Sequence, residues 1–112
     1  MNRRIAALAL ALGGALLFAP GSAMADDRLE KAIYHIQEAI TQGKLNDAGL
    51  LAYHADLALE KAEAVEKFKP DPHTADAIVH IKAAIEEGRQ NHAKSATAHA
   101  EEALKHLQEA AK

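Results

Sequence analysis

Histidine is the residue type in this sequence with the most chemistry to offer. Seven occur, at His35, His54, His73, His80, His92, His99 and His106. Neutral imidazole is a common metal ligand and titrates near neutral pH. His73 and His80 are seven residues apart, and His92, His99 and His106 repeat the same step. Seven residues is nearly two helical turns, so each series keeps to one helix face with a small drift. Along a single helix the successive rings would lie roughly 10 Å apart, too far to share one ion. A second helix must supply the partner.

In an antiparallel hairpin, facing residues have a constant summed number. His73 with His106, His80 with His99, and Glu87 with His92 all sum to 179, and His35 with His54 sums to 89. The two sums differ by 90, twice the 45-residue repeat described below. The histidines therefore fall on the rungs of two hairpin ladders. The other first-hairpin rungs are Arg28 with Lys61 and Gln42 with Asp47. On a helical wheel the histidines flank the apolar stripe, where a ligand stays reachable from solvent.

Carboxylates lie one turn from several rungs. Asp76 is three after His73 and four before His80; Glu102 is three after His99 and four before His106; Glu38 is three after His35. Each could be a further ligand or an acceptor that fixes an imidazole tautomer, or could belong to an ordinary charged face paired with Lys31, Lys82 or Lys105. The candidate metal ligands are thus His73, His80, His92, His99, His106, His35, His54, Asp76 and Glu102. Imidazole with carboxylate suits Cu(II), Ni(II), Zn(II) or Co(II), with Cu(II) bound tightest by the usual affinity order.

Four helical stretches must position these groups. The first spans about 27–42, with Leu29, Ile33, Ile36 and Ile40 on one face and Gly43 as its left-handed cap. The second spans about 47–67, its apolar side formed by Leu50, Leu51, Leu57, Ala58 and Val65. Pro70 and Pro72 interrupt the pattern, and Pro72 after Asp71 can open a new helix. The third spans about 72–87, with Ile78, Ile81 and Ile85 inward and Gly88 as stop. The fourth spans about 91–111 on a stripe of Ala93, Ala96, Ala100, Ala103, Leu104 and Leu107. No segment alternates with the period of a strand.

Residue i resembles residue i+45 without a gap. Between 32–59 and 77–104, 13 of 28 positions are identical, including His35/His80, Gly43/Gly88, Asn46/Asn91 and His54/His99. The repeated unit is helix, Gly, short turn, helix. The expected fold is all-α, an up-down-up-down four-helix bundle built from two repeated helical hairpins.

The first 25 residues follow a different logic. Arg3 and Arg4 precede an apolar run from Ile5 to Ala19, and Ala23-Met24-Ala25 supplies small residues at positions −3 and −1 of a cut after Ala25. This is the layout of a secretory signal peptide, and the run is short of the roughly 20 residues that span a bilayer. The expected organisation is a signal peptide at 1–25 and one metal-binding bundle at 26–112, exported to the periplasm and free of the membrane after cleavage. Without Arg3 and Arg4 the net charge moves from −3 to −5, a poor balance for binding nucleic acid. There is no cysteine, and both methionines lie within the leader. The remainder has no sulfur ligand, which excludes thiolate zinc, iron–sulfur, covalent haem and blue-copper sites.

On these residues the chain resembles the small periplasmic metal-binding proteins called SmbP, His-rich four-helix bundles. The resemblance covers essentially all of 26–112. It is closest from His73-Thr74-Ala75-Asp76 through Val79-His80-Ile81-Lys82, and over Ala98-His99-Ala100-Glu101-Glu102 to Lys105-His106-Leu107. It implies binding of divalent metals, notably copper, at His73, His80, His92, His99 and His106, with His35 and His54 following through the repeat. The first hairpin departs from the pattern, because Arg28, Lys61 and Asp47 stand where the repeat offers His73, His106 and His92. Fewer or weaker sites are expected in 27–67 than in 72–112.

The expected function is binding of divalent transition metal for buffering or scavenging, by a monomer. The alternative is a structural or partner-binding bundle with incidental histidines, for which Tyr34, Tyr53 and Phe68 are the available aromatics. Catalysis is not expected. There is no nucleophile motif, no glycine-rich phosphate loop, no H-E-x-x-H and no Glu-x-x-His pair of the di-iron kind.

Overall fold

A computed structural model describes residues 23–112, with side chains from Asp27 onward. Most of the expected signal peptide therefore lies outside the described residues. Four helices follow: α1 (Ala23–Lys44), α2 (Ala48–Phe68), α3 (Pro72–Arg89) and α4 (Ala93–Ala110). They form a four-helix bundle in which α1 and α3 each pack on both α2 and α4, with little contact across the diagonals. Among the described residues no helix is long and apolar enough to cross a membrane.

The core is lined by alanine more than by leucine. The α2 core line is Leu51, Ala55, Ala58, Ala62 and Val65, stepping by three and four residues. Leu50 and Leu57 lie off that phase. Leu50 is exposed and Leu57 half-buried, contrary to the apolar side expected from their hydrophobicity. Ile33, Ile78 and Leu104 are partly buried and pack against the core. The centre is held by Ile36, Leu51, Ile81 and Leu107, all fully buried.

The helix ends correct a second expectation. Gly43 is not the expected left-handed cap and Gly88 is no cap either, for no described glycine has a positive φ. The left-handed residues are Asn46 (φ 63°) and Asn91 (φ 65°), three positions later. Asparagine tolerates this conformation better than most residues. In the first turn Asn46 N–H donates to Gly43 O at 2.9 Å and Asp47 N–H to Gln42 O at 2.9 Å. In the second, Asn91 N–H donates to Gly88 O at 3.0 Å and His92 N–H to Glu87 O at 2.9 Å. Both turns are Schellman closures with asparagine at C′.

The glycines serve close approach instead. A Cβ on Gly88 would lie 2.9 Å from the Ala48 carbonyl oxygen and 3.1 Å from Ala52 Cβ. A Cβ on Gly43 would collide with Thr97 Oγ1 and come within 2.6 Å of Leu51 Cδ1. These collisions are related by the 45-residue repeat, since Gly43 meets position 97 and Gly88 meets position 52. Two cross-helix ion pairs obey the same relation: Lys44 with Glu101 at 3.7 Å, and Arg89 with Asp56 at 3.8 Å.

Candidate metal centre

The four histidine rungs deduced from summed residue numbers are close pairs in the structure. His80 Nδ1 and His99 Nδ1 lie 3.3 Å apart, and His73 Nδ1 and His106 Nδ1 lie 3.5 Å apart. His92 Nδ1 and Glu87 Oε1 are 2.9 Å apart. In the first hairpin the rings of His35 and His54 stack with centroids 6.4 Å apart. Two nitrogens bound to one ion at ~2.0–2.1 Å, with an angle of about 105–120° between them, are separated by about 3.3–3.5 Å. The two α3–α4 histidine pairs already have that spacing.

Local sequence sets this geometry. Asp71 caps α3, its carboxylate accepting from His73 N–H at 2.7 Å, with Pro72 in the first turn. This fixes the start of the helix that carries His73 and His80. Ala77, Ile81 and Ala84 on α3 and Ala100, Ala103 and Leu107 on α4 are buried between the helices. With such small side chains between them, the flanking imidazoles can meet. His73 and His92 remain exposed, while His80, His99 and His106 are half-buried.

A flat ladder does not describe the arrangement fully. His106 reaches His80 as well as His73, the His80 and His106 rings stacking at 5.7 Å with an interplanar angle of 10°. The ring centroids of His99, His80, His106 and His73 follow one another at 5.6, 5.7 and 5.7 Å. They form a zigzag of imidazoles along the α3–α4 seam. Glu102 joins it: donor atoms from His80, Glu102 and His106 all lie within 4.8 Å of one another. Ligands on one ion stand closer together than that limit, so the side chains would draw inward to share an ion.

Glu102 also pairs with Lys105 at 3.3 Å, the ordinary role weighed for it above. Asp76 is exposed and is not part of the cluster. In the first hairpin, Arg28, on the rung it shares with Lys61, lies over the Phe68 ring at 5.8 Å.

Position 92 shows a local trade between stability and side-chain placement. Its repeat equivalent, Asp47, caps α2 by accepting from Leu50 N–H at 3.0 Å. His92 makes no side-chain cap bond at the start of α4; its ring is turned back to Glu87. An absent cap of this kind costs about 0.5–2 kcal/mol. Glu87 and His92 are the C3 and C″ positions of the Schellman turn, where an apolar contact is usual. Here a carboxylate and an imidazole take that place. The bond to His92 is the main cause holding the Glu87 carboxyl below its ordinary range, with Ser95 adding to it.

The first-hairpin pair sits in a drier setting. Nδ1 of His35 and Nδ1 of His54 are sealed from solvent with no protein hydrogen-bond partner. Tyr34 stands edge-on to His35, and Tyr53 edge-on to His54, each at 5.3 Å. Burial pushes the His35 pKa below 6.5; His54 and Lys61 reinforce it, against Glu38 and Glu60. A histidine with a depressed folded pKa binds fewer protons folded than unfolded. Stability is then unaffected above about pH 6.5 and falls as the pH drops from there toward the folded pKa. The metal-free protein is expected to lose thermal stability over that window. His35→Gln should flatten this part of the profile in melts at a series of pH values.

A family model described as "Small metal-binding protein" matches residues 2–110. Among curated proteins none matches the chain.

Proposed function

The chain belongs to the small metal-binding protein family, and from that premise we propose that it holds divalent transition metal on the α3–α4 imidazole zigzag, in the periplasm, to buffer or scavenge it. The observation that carries this reading is the pairing of His73 with His106 at 3.5 Å and of His80 with His99 at 3.3 Å, with Glu102 grouped beside His80 and His106 within 4.8 Å. The donor set is imidazole and carboxylate, with no cysteine and no methionine beyond position 24. Such a set suits Cu(II), Ni(II), Zn(II) and Co(II), and Cu(II) comes first in the affinity order. His92 with Glu87 and His35 with His54 supply further, poorer sites. The periplasmic location follows from the leader-like residues 1–25, and export would place a sulfur-free site where incoming metal is met first.

Isothermal titration of Cu(II), Ni(II) and Zn(II) into residues 26–112 at neutral pH tests the reading. Saturable binding is expected, tightest for Cu(II) and weakening as the pH falls below about 6.5, because each imidazole must be neutral to bind. Weak, unsaturable uptake of all three metals would leave a plain bundle. Sequencing the exported protein's N-terminus should return Asp26.

A further inference from the structure

We propose that the α3–α4 histidines form overlapping sites whose ligand set changes with metal loading. A first ion is held by His80, His106 and Glu102. A second ion converts this arrangement into two adjacent pairs, His80 with His99 and His73 with His106. The proposal rests on the metal-binding reading above and concerns how that seam fills.

Sharing of side chains forces the exchange. His80 is 3.3 Å from His99 through Nδ1 and also stacks on His106, and His106 is 3.5 Å from His73 through Nδ1 while facing His80. A neutral imidazole has one unprotonated ring nitrogen, so each ring ligates one ion at a time. His80 and His106 can therefore serve one common ion or two separate ones, not both.

Charge decides the order. Glu102 belongs to the cluster that joins His80 with His106. It offsets part of a dication's charge, so the first ion is favoured where the carboxylate reaches it. At higher loading the end rings, His99 and His73, each complete a pair. The two ions would then sit about one ring spacing apart, and the central rings are separated by 5.7 Å. Like charges so close repel, and the first ion loses its second central imidazole, so the second step is weaker by tenfold or more.

Cu(II) titration followed by electron paramagnetic resonance and calorimetry tests this. A His35→Ala/His54→Ala/His92→Ala background removes the other proposed sites and leaves the four seam histidines and Glu102 intact. One equivalent should give an isolated, magnetically dilute Cu(II) signal. The second should bring dipolar broadening from a close pair. Glu102→Gln should weaken the first step by about 10–100-fold, the range for lost supporting groups at metal sites, and bring the second step closer to it, because the doubly loaded state does not use the carboxylate. His99→Ala should spare the first step and abolish the second. Two equal, independent steps would overturn the proposal, as would a Glu102→Gln variant that binds like its parent or a His99→Ala variant that loses the first step. Absence of any Cu(II) uptake would take down the metal-binding reading with it, an outcome distinct from two equal sites. Unchanged metal-free melting of each variant shows that the fold is intact.

Discussion

Replacing His80 and His106 together with alanine is expected to lower the affinity for the tightest Cu(II) by more than 100-fold, while replacing His35 and His54 leaves that affinity nearly unchanged. His80 and His106 are the central rings of the zigzag, each touching two other imidazoles. Losing both leaves His73 and His99 at opposite ends without an imidazole neighbour. Lost supporting groups alone weaken metal sites by 10–100-fold, and these two are ligands, so the effect should exceed that range. A 100-fold loss corresponds to about 2.7 kcal/mol of metal-linked stability. The rise in melting temperature on adding Cu(II) should therefore shrink in the seam variant and persist in the His35/His54 variant. The bundle should tolerate both changes. The rings stand at the edge of the core, and the adjacent Ile81 and Leu107 remain fully buried. Competition against a chelator of known affinity measures the difference. Equal losses in the two double variants would show that the hairpins contribute alike, and would overturn the ranking.

The pairing of histidines was legible because it depends on periodicity. Two helices joined by a short turn fix which residues face each other, and the constant sum selects the pairs without knowledge of packing. The link between His80 and His106 was not legible. Its two residues sum to 186 rather than 179, one seven-residue step off the rung, so the constant sum does not select them. The same limit explains why Glu102 joins the cluster and Asp76 does not, although both stand three and four residues from histidines.

The glycines illustrate a different limit. Gly43 reads as a left-handed cap and Gly88 as a helix stop because they are the glycines nearest the helix ends. The chain turns instead on Asn46 and Asn91, which the repeat matches just as well. Sequence could show that a left-handed residue was needed near each end. Only packing shows that the space beside Gly88 is already filled by the Ala48 carbonyl and Ala52. Leu50 and Leu57 were misplaced for a related reason. When alanines let helices approach closely, burial goes to the residues in phase with the contact line rather than to the most hydrophobic ones.

That close approach gives the second large effect. Gly→Ala inside an ordinary helix stabilises by roughly 0.4–1 kcal/mol. Gly88→Ala is expected to destabilise instead. Its Cβ would sit 2.9 Å from the backbone oxygen of Ala48, an atom that moves only if α2 moves. Overpacking of this kind costs about 1–3 kcal/mol, which outweighs the helix preference. Gly43→Ala should be at least as damaging. The Thr97 hydroxyl it would strike is buried and donates to Ala93 O at 2.7 Å, so moving it also breaks a hydrogen bond. For a domain of this size the net loss corresponds to a fall of about 5–15 °C in metal-free melting temperature for each variant. A rise in either would show that the helices can separate at little cost. The two glycines lie at different helix contacts, yet their effects should not add. Leu51 neighbours both sites, through Cδ1 at 2.6 Å from a Cβ on Gly43 and Cδ2 at 3.4 Å from one on Gly88. Once one substitution displaces this fully buried leucine, the second meets a site already relaxed. Residues that share a packing partner couple in this way. The double variant should therefore melt at a higher temperature than the two single losses predict, and full additivity would show that Leu51 does not connect the two contacts.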